Sequence, residues 1–291
     1  MIGKIVWLGK TMAEKVAVIT GSSSGIGLLT AVQLARDGFR VIASMRDLSR
    51  RDRLDRAANE AEVAKQLDVR RLDVTEFESI PQFVAAVERD FGRIDVLVNN
   101  AGFAMAGFAE DLLLDEIRQQ FETNFFGQVA ITKAVLPVMR RQKSGHIIMV
   151  SSISGRYAQP VISAYSASKY ALGGWSEALR IETFSLGIRV AVVEPGSFAT
   201  DIWDRNARVG RYALDRNSPN HERGARFSEL VKKMPKSDPL PVARLIAKIA
   251  QDSNPRLHYI IGKDAHIHSW FYALTPWRWY ERLVAKAMKL N

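Results

Sequence analysis

Tyr165 and Lys169 stand four positions apart in Tyr165-Ser166-Ala167-Ser168-Lys169, and a serine pair, Ser151-Ser152, precedes them. Tyrosine is a weak acid, with an ordinary pKa of about 10. If the segment is helical, a spacing of four puts the lysine on the tyrosine's face. A cation beside a phenol favours the phenolate and lowers its pKa. A tyrosine tuned in this way can pass a proton to or from a carbonyl oxygen. Tyrosine and lysine also share solvated helix faces by chance, so the pair acquires meaning only from what the chain builds around it.

The elements that must position these residues follow from the apolar patterning. Lys15 to Thr20 is a short β-branched run, a buried strand. It leads into Gly21-Ser22-Ser23-Ser24-Gly25-Ile26-Gly27 and then a helical pattern, Leu28 to Asp37, ended by Gly38. Glycines between a strand and a helix let the backbone approach a pyrophosphate, which rests on the helix N-terminus. Arg40 to Ser44 is the second strand. Where an acid selecting NAD is common, the chain has Ser44-Met45-Arg46. With no carboxylate to repel a phosphate and a guanidinium able to bind one, NADP is expected over NAD. The alternative is that Arg46 pairs with Asp47 or another surface acid.

Residues 49–66 read as a charged outer helix, and Val69 to Val74 as a third strand. Asp73 either accepts from an adenine amine or caps the Asp73-Val74-Thr75-Glu76 segment. A helix at 78–91 precedes a strand at Ile94 to Val98, closed by Asn99-Asn100-Ala101-Gly102, which suits a ligand crevice or a plain turn. Residues 111–142 are helical, interrupted near Asn124 and punctuated by Pro137. Asn124, among Phe121, Phe125 and Phe126, is either satisfied by backbone or holds a water. Gly145 to Val150 is the fifth strand and ends in Ser151-Ser152. Tyr165 to Leu186 is a helix in which Gly173-Gly174 permits close packing, as between two subunits. Ile188 to Val193 is the sixth strand, before Glu194-Pro195-Gly196. Residues 197–239 form a long irregular insert, the kind that makes a lid. Leu240 to Gln251 is a helix and His258 to Gly262 a last strand.

In the C-terminal extension, 263–291, Thr275-Pro276 is a helix cap and first-turn pair. Beyond it Trp277, Tyr280, Leu283, Val284, Ala287 and Met288 fall on one arc, opposite Arg278, Arg282, Lys286 and Lys289. That arc either docks on protein or lies on anionic lipid.

The chain has 291 residues, 47% apolar, enough for the core of one α/β domain. The absence of cysteine excludes disulfides, thiolate metal sites and cysteine nucleophiles, and suits a reducing compartment. His266 and His268 are not at metal-helix spacing, so no metal is expected. A net charge of +10 serves solubility, a phosphate-rich cofactor or an anionic membrane surface. No nucleic-acid recognition module is present. No run of 18 apolar residues predicts a transmembrane helix. Residues 1–13 read as an N-terminal lead, with Met12 an alternative start. The expected location is cytoplasmic, with peripheral membrane contact through 275–291 as an option.

Strand–helix alternation predicts an α/β fold, a single-domain doubly wound parallel sheet of about seven strands. Over residues 14–262 the chain resembles the short-chain dehydrogenases/reductases. The matching residues are Thr20-Gly21-x-x-x-Gly25-x-Gly27, Asp73, Asn99-Asn100-Ala101-Gly102, Asn124, Ser152, Tyr165-x-x-x-Lys169 and Pro195-Gly196 with Thr200. Met45-Arg46-Asp47-Leu48 and the extended C-terminus look most like the 17β-hydroxysteroid and retinol dehydrogenase branch.

The resemblance implies a Rossmann-type fold and a role for each matching residue. Tyr165 would be the general acid/base. Lys169 would bond the nicotinamide ribose and lower the tyrosine's pKa. Ser152, thirteen positions before the tyrosine as in the family, would orient the substrate oxygen, with Ser151 the alternative. Asn124 would hold a water linking Lys169 to solvent. Gly21, Ser24 and Ile26 would line the pyrophosphate, with Ser23, Gly25 and Gly27 in the same loop. Arg46 would meet the 2′-phosphate, and Asp73 and Val74 the adenine. Asn100, Ala101, Gly102, Pro195, Gly196, Phe198 and Thr200 would surround the ribose and nicotinamide.

The reaction implied is NADP-dependent interconversion of a secondary alcohol and a carbonyl by hydride transfer. Phe103, Met105, Phe108, Phe198, Ile202 and Trp203 are either a lipophilic substrate pocket or ordinary core. A steroid, retinoid, fatty-acyl ketone or xenobiotic carbonyl would suit such a pocket. A homodimer or homotetramer is expected. The rival is a non-catalytic NADP-sensing regulator, which would be expected to lose Ser152, Tyr165 or Lys169.

Overall fold

The computed structural model describes residues 14–203, 206–288 and 290; the expected N-terminal lead lies outside them. The chain runs β1 (Val16–Ile19), α1 (Gly25–Arg36), β2 (Arg40–Met45), α2 (Asp52–Glu60), β3 (Leu67–Arg71), α3 (Ile80–Phe91), β4 (Val96–Asn99) and β5 (Ala104–Ala106). It continues through α4 (Leu114–Phe121), α5 (Gly127–Gln142), β6 (Gly145–Val150), α6 (Ser163–Thr183), β7 (Ile188–Pro195) and β8 (Ala207–Val209). Last come α7 (His221–Lys233), α8 (Leu240–Gln251), β9 (His258–Ile261), α9 (Lys263–Leu274) and α10 (Trp277–Ala287).

Strands such as β1, whose four residues are all buried, carry apolar side chains on both faces and therefore need a layer on each side. They form one seven-stranded sheet in the order β3-β2-β1-β4-β6-β7-β9, with every pair parallel. Leu34 of α1 and Val242 and Ile246 of α8 cover one face. Val84 of α3, Ile131 and Val135 of α5 and Leu172 of α6 cover the other. Each fully buried aliphatic side chain of this kind contributes about 2 kcal/mol of transfer free energy. The chain winds outward from β1 to β3, then crosses to β4 and winds the other way. The crevice at this reversal, beyond the C-terminal ends of the strands, is where such sheets take ligands.

Four expectations are corrected. The outer helix expected at 49–66 is only α2, because Asp47 caps a separate short turn by accepting from the Ser49 N–H at 3.0 Å. The third strand ends at Arg71, which leaves Asp73 and Val74 in the following turn. The insert at 197–239 is not irregular throughout: it contains α7, and β8 pairs in parallel with β5, setting Met105 opposite Arg208. The C-terminal extension is two helices. Thr275 ends α9, and the cap position of α10 falls to Pro276.

The interruption near Asn124 is a single π-helical turn, Glu122–Phe126, between α4 and α5. Pro137 sits inside α5 without ending it. No metal-holding group of side chains is found among the described residues. No helix among them is long and apolar enough to cross a membrane.

Candidate active site

One cleft of roughly 390 Å³ runs along the C-terminal ends of β1, β2, β4, β6 and β7, within the usual size of a small-molecule site. At its floor α6 presents Tyr165 and Lys169 on one face, both buried. The loop after β6 presents Ser151 and Ser152. Ser152 hydrogen-bonds to the Tyr165 phenol. The Ser152 Oγ also accepts from the Ser154 N–H at 3.1 Å, which fixes its rotamer. The Ser151 hydroxyl points instead to the Lys169 carbonyl. Lys169 Nζ donates to the Val150 carbonyl at 2.8 Å and stands 5.9 Å from the Tyr165 ring centroid.

Burial pushes the Tyr165 phenol up to about 12, and the Ser152 hydrogen bond only partly opposes it. Burial pulls the Lys169 ammonium down to about 8. The expected lowering of the phenol's pKa by its lysine is therefore corrected for the protein by itself. Loss of water is the larger effect on both groups.

Asn124 is fully buried but does not line the cleft. Its Oδ1 accepts from the Phe103 N–H at 3.1 Å, and its Nδ2 donates to the Phe103 carbonyl at 3.0 Å and the Ser168 hydroxyl at 3.3 Å. Of the two roles weighed for its amide, the structure shows the backbone-satisfied one. This amide fixes the backbone of Phe103, the residue that follows the Asn100-Gly102 turn.

The dinucleotide end is built by close approach. Gly21 and Gly25 both have positive φ, +71° and +57°. A Cβ on Gly21 would lie 2.8 Å from the Ala101 Cα. Asn100 Nδ2 donates to the Thr20 and Gly21 carbonyls at 2.9 and 3.0 Å, so its amide braces the loop. Gly27 does not line the cleft, contrary to expectation. A Cβ there would meet Asn100 Nδ2 and the Gly21 carbonyl oxygen at 2.4 Å each, so this glycine serves loop packing. The cap residue of α1, Ser24, makes no side-chain capping bond, and the first turn has no acid. Ser24, Gly25 and Ile26 line the cleft, so the uncapped positive end of α1 opens at the place a pyrophosphate would take. The residues present fit a nicotinamide dinucleotide.

Ser23, Ser24, Ile26, Val74, Ala101, Gly102, Pro195, Gly196, Phe198 and Thr200 all line the cleft, as do Gly21, Gly25, Asn100 and Phe103. Asp73 does so too. Its Oδ1 takes the Thr75 N–H and hydroxyl at 3.0 and 2.7 Å, and its Oδ2 stands 3.9 Å from Arg46 Nε. The capping role is thus present, with the second oxygen turned toward Arg46.

Met105 is a correction: it is buried in a cluster with Phe103, Leu112 and Ala164, away from the cleft. The Trp203 side chain lies outside the described residues. Arg50, Thr123, Asn206 and Arg208 line the cleft and were not foreseen. Arg50 stands four positions after Arg46, a spacing that was available as a signal. Arg208 is brought in by the β5–β8 pairing. Its guanidinium lies 4.4 Å from the Phe103 ring centroid and bonds Gln119 Oε1 at 3.1 Å.

Comparison with known proteins adds to this geometry. The family model for short chain dehydrogenase matches residues 15–208. An uncharacterized oxidoreductase of Bacillus subtilis, YusZ, is 41% identical over 280 residues, covering 95% of this chain and 99% of the relative. Human retinol dehydrogenase 8 is 43% identical over 192 residues, 65% of this chain and 60% of its own. A solved alcohol dehydrogenase from Thermococcus sibiricus, complexed with 5-hydroxy-NADP, superposes with a TM-score of 0.68 at 25% identity, covering 85% of this chain and 96% of that one. With the sheet order, the glycine loop and the Ser152-Tyr165-Lys169 arrangement, these likenesses establish that the chain belongs to the short-chain dehydrogenases, oxidoreductases that use a nicotinamide cofactor on CH–OH groups.

Proposed function

We propose that this chain is an NADP-dependent oxidoreductase that interconverts a secondary alcohol and a carbonyl on a lipophilic substrate. The carrying observation is Tyr165, hydrogen-bonded to Ser152 and backed by Lys169, at the floor of a cleft that begins at a glycine loop. The cofactor, when bound, supplies the hydride. The protein does the rest. Ser152 and the phenol converge on one oxygen of the substrate. Tyr165, held protonated by burial, gives its proton to that oxygen as the carbonyl is reduced and takes it back in oxidation. The buried ammonium of Lys169 favours the phenolate left behind and would hold the ribose of the cofactor.

Arg46, at the end of β2, is the residue for the 2′-phosphate, with Arg50 beside it on the same wall. Phe103, Phe198 and Ile202 give the substrate end its apolar walls. The relative named retinol dehydrogenase 8 and the Thermococcus alcohol dehydrogenase with its NADP derivative support a lipophilic alcohol or carbonyl and NADP. Homo-oligomerisation and a peripheral membrane contact through the C-terminal extension complete the proposal. The test is purified protein with NADPH or NADH and a panel of lipophilic ketones and aldehydes, followed at the nicotinamide absorbance. Turnover is expected with NADPH, and Tyr165→Phe is expected to lower it by at least about a hundredfold. Unchanged turnover in that variant would remove Tyr165 as the acid.

A further inference from the structure

The two C-terminal helices are joined by rings. Tyr280 lies between Tyr272 at 5.1 Å, Trp277 at 5.6 Å and Phe271 at 6.0 Å, and Tyr272 continues to Tyr157 of the catalytic domain at 6.0 Å. Ala265 and Tyr280 are buried by this contact. The inward side of the hairpin is thus accounted for, and α9 has a second apolar side. Ile267, Trp270, Phe271 and Leu274 follow the i, i+3, i+4, i+7 spacing of one helix face. Three of the four point outward, Trp270 at 73% exposed, Ile267 at 67% and Leu274 at 63%, while Phe271 also packs on Tyr280. On α10, Trp279 and Leu283 are exposed beside Arg278, Arg282 and Lys286. At 100° per residue these five lie on one outward arc, and Glu281 lies outside it. The residues expected to dock are therefore only partly covered, since Trp277 and Leu283 remain exposed.

We infer that α9 and α10 together form a docking face for an anionic lipid bilayer. Exposed tryptophan and aliphatic side chains ringed by arginine and lysine match the chemistry of the acyl–headgroup boundary. A second copy of this chain fits less well. A two-fold interface brings the same patch against itself, so Arg278, Arg282 and Lys286 would be buried against an arc that holds no carboxylate to pair them. The face is also tied to the lid segment. Asp264, at the start of α9, accepts from the Ser197 N–H at 2.7 Å beside Gly196 of the cleft. Arg223 of α7 donates to the Leu290 carbonyl at 3.0 Å. Docking through this face therefore puts the lid side of the cleft next to the phase in which a lipophilic substrate dissolves. The inference deepens the membrane contact proposed above and is independent of the chemistry assigned to Tyr165.

The experiment is flotation of the full chain with phosphatidylcholine vesicles, with and without phosphatidylglycerol, alongside turnover of a water-soluble ketone and size-exclusion chromatography. Wild-type protein is expected to float with the anionic vesicles. Trp270→Ser with Leu274→Ser, and separately Arg282→Glu with Lys286→Glu, are each expected to weaken binding at least about tenfold while ketone turnover stays unchanged. Wild-type protein that stays in solution with both vesicle types overturns the inference. So does a Trp270→Ser/Leu274→Ser protein that floats as before, or one whose oligomer falls apart while wild type ignores vesicles; the latter assigns the face to a second copy. Absent ketone turnover with intact flotation would count against the proposed reaction and leave the docking face standing.

Discussion

Tyr165 and Lys169 are both buried, the phenol pushed up to about 12 and the ammonium pulled down to about 8. The two shifts have opposite consequences for stability. The folded pKa of Lys169 is depressed, so between about pH 8 and 10.5 the unfolded chain binds a proton that the folded chain does not. Its contribution is present above 10.5 and is lost as pH falls through 8. Tyr165 is raised, so its contribution is present below pH 10 and lost as pH rises through 12. Lys169 can therefore be read by itself below pH 10. Relative to a Lys169→Met variant, wild type should gain about 2 kcal/mol of unfolding free energy between about pH 7 and pH 9.5. Urea denaturation of both proteins at the two pH values measures this. A constant difference would show that the ammonium is hydrated. The same burial keeps Tyr165 protonated at neutral pH, the form from which it can give a proton to a carbonyl oxygen.

At the scale of elements, the β1–α1 turn is held from behind by Asn100, whose amide is fixed on two carbonyls. Gly27→Ala would drive a methyl into that amide and the Gly21 carbonyl, with both partners already bonded and unable to yield. A loss of about 1–3 kcal/mol is expected, together with weaker cofactor binding. Gly173→Ala on α6 meets nothing within 4 Å and should instead gain about 0.5–1 kcal/mol from helix propensity. Thermal midpoints of the two variants should move in opposite directions; a rise in both would show that Gly27 tolerates a methyl, and a fall in both that the space beside Gly173 is needed. The central strands β1, β4, β6 and β7 were legible because each is a mainly apolar, buried run that needs cover on both sides, whereas the edge strand β3, Leu67-Asp68-Val69-Arg70-Arg71, is only partly buried and its end was misplaced. The glycine loop and the Ser152-Tyr165-Lys169 spacing were legible because each sits beside such a run. The face of α9 was not. Its apolar residues point both inward and outward, so no single period marks the helix. The π-helical turn at Asn124 appeared only as an interruption, because its amide is satisfied by Phe103, distant in the chain. Arg208 enters the cleft through a strand pairing whose partners are about a hundred residues apart, which no local pattern announces.

Across the whole molecule the +10 charge is not evenly spent. Arg46, Arg50 and Arg208 all line the same cleft. The cleft's acids are engaged: Asp47 with Ser49, Asp73 with Thr75, and Asp201 with Arg53 at 2.8 Å. Arg46, Arg50, Lys169 and Arg208 outnumber those three carboxylates in the lining, and such a cationic excess raises the local concentration of an anion, an effect that salt screens over a Debye length of about 10 Å at 0.1 M. NADPH carries one more phosphate than NADH, so its affinity should fall more steeply with ionic strength. The side chain of Arg46 is 62% exposed, so its pairing with that phosphate is itself partly screened, and a preference of about tenfold is the scale to expect. Dissociation constants from reduced-nicotinamide fluorescence at low and high salt give both slopes. Arg46→Asp should bring the NADPH slope down to that of NADH and reverse the preference, because a carboxylate now faces the phosphate and can accept from ribose hydroxyls. Parallel slopes in wild type would place the 2′-phosphate away from this wall of the cleft. An unshifted preference in Arg46→Asp, with steep NADPH dependence retained, would transfer the role to Arg50.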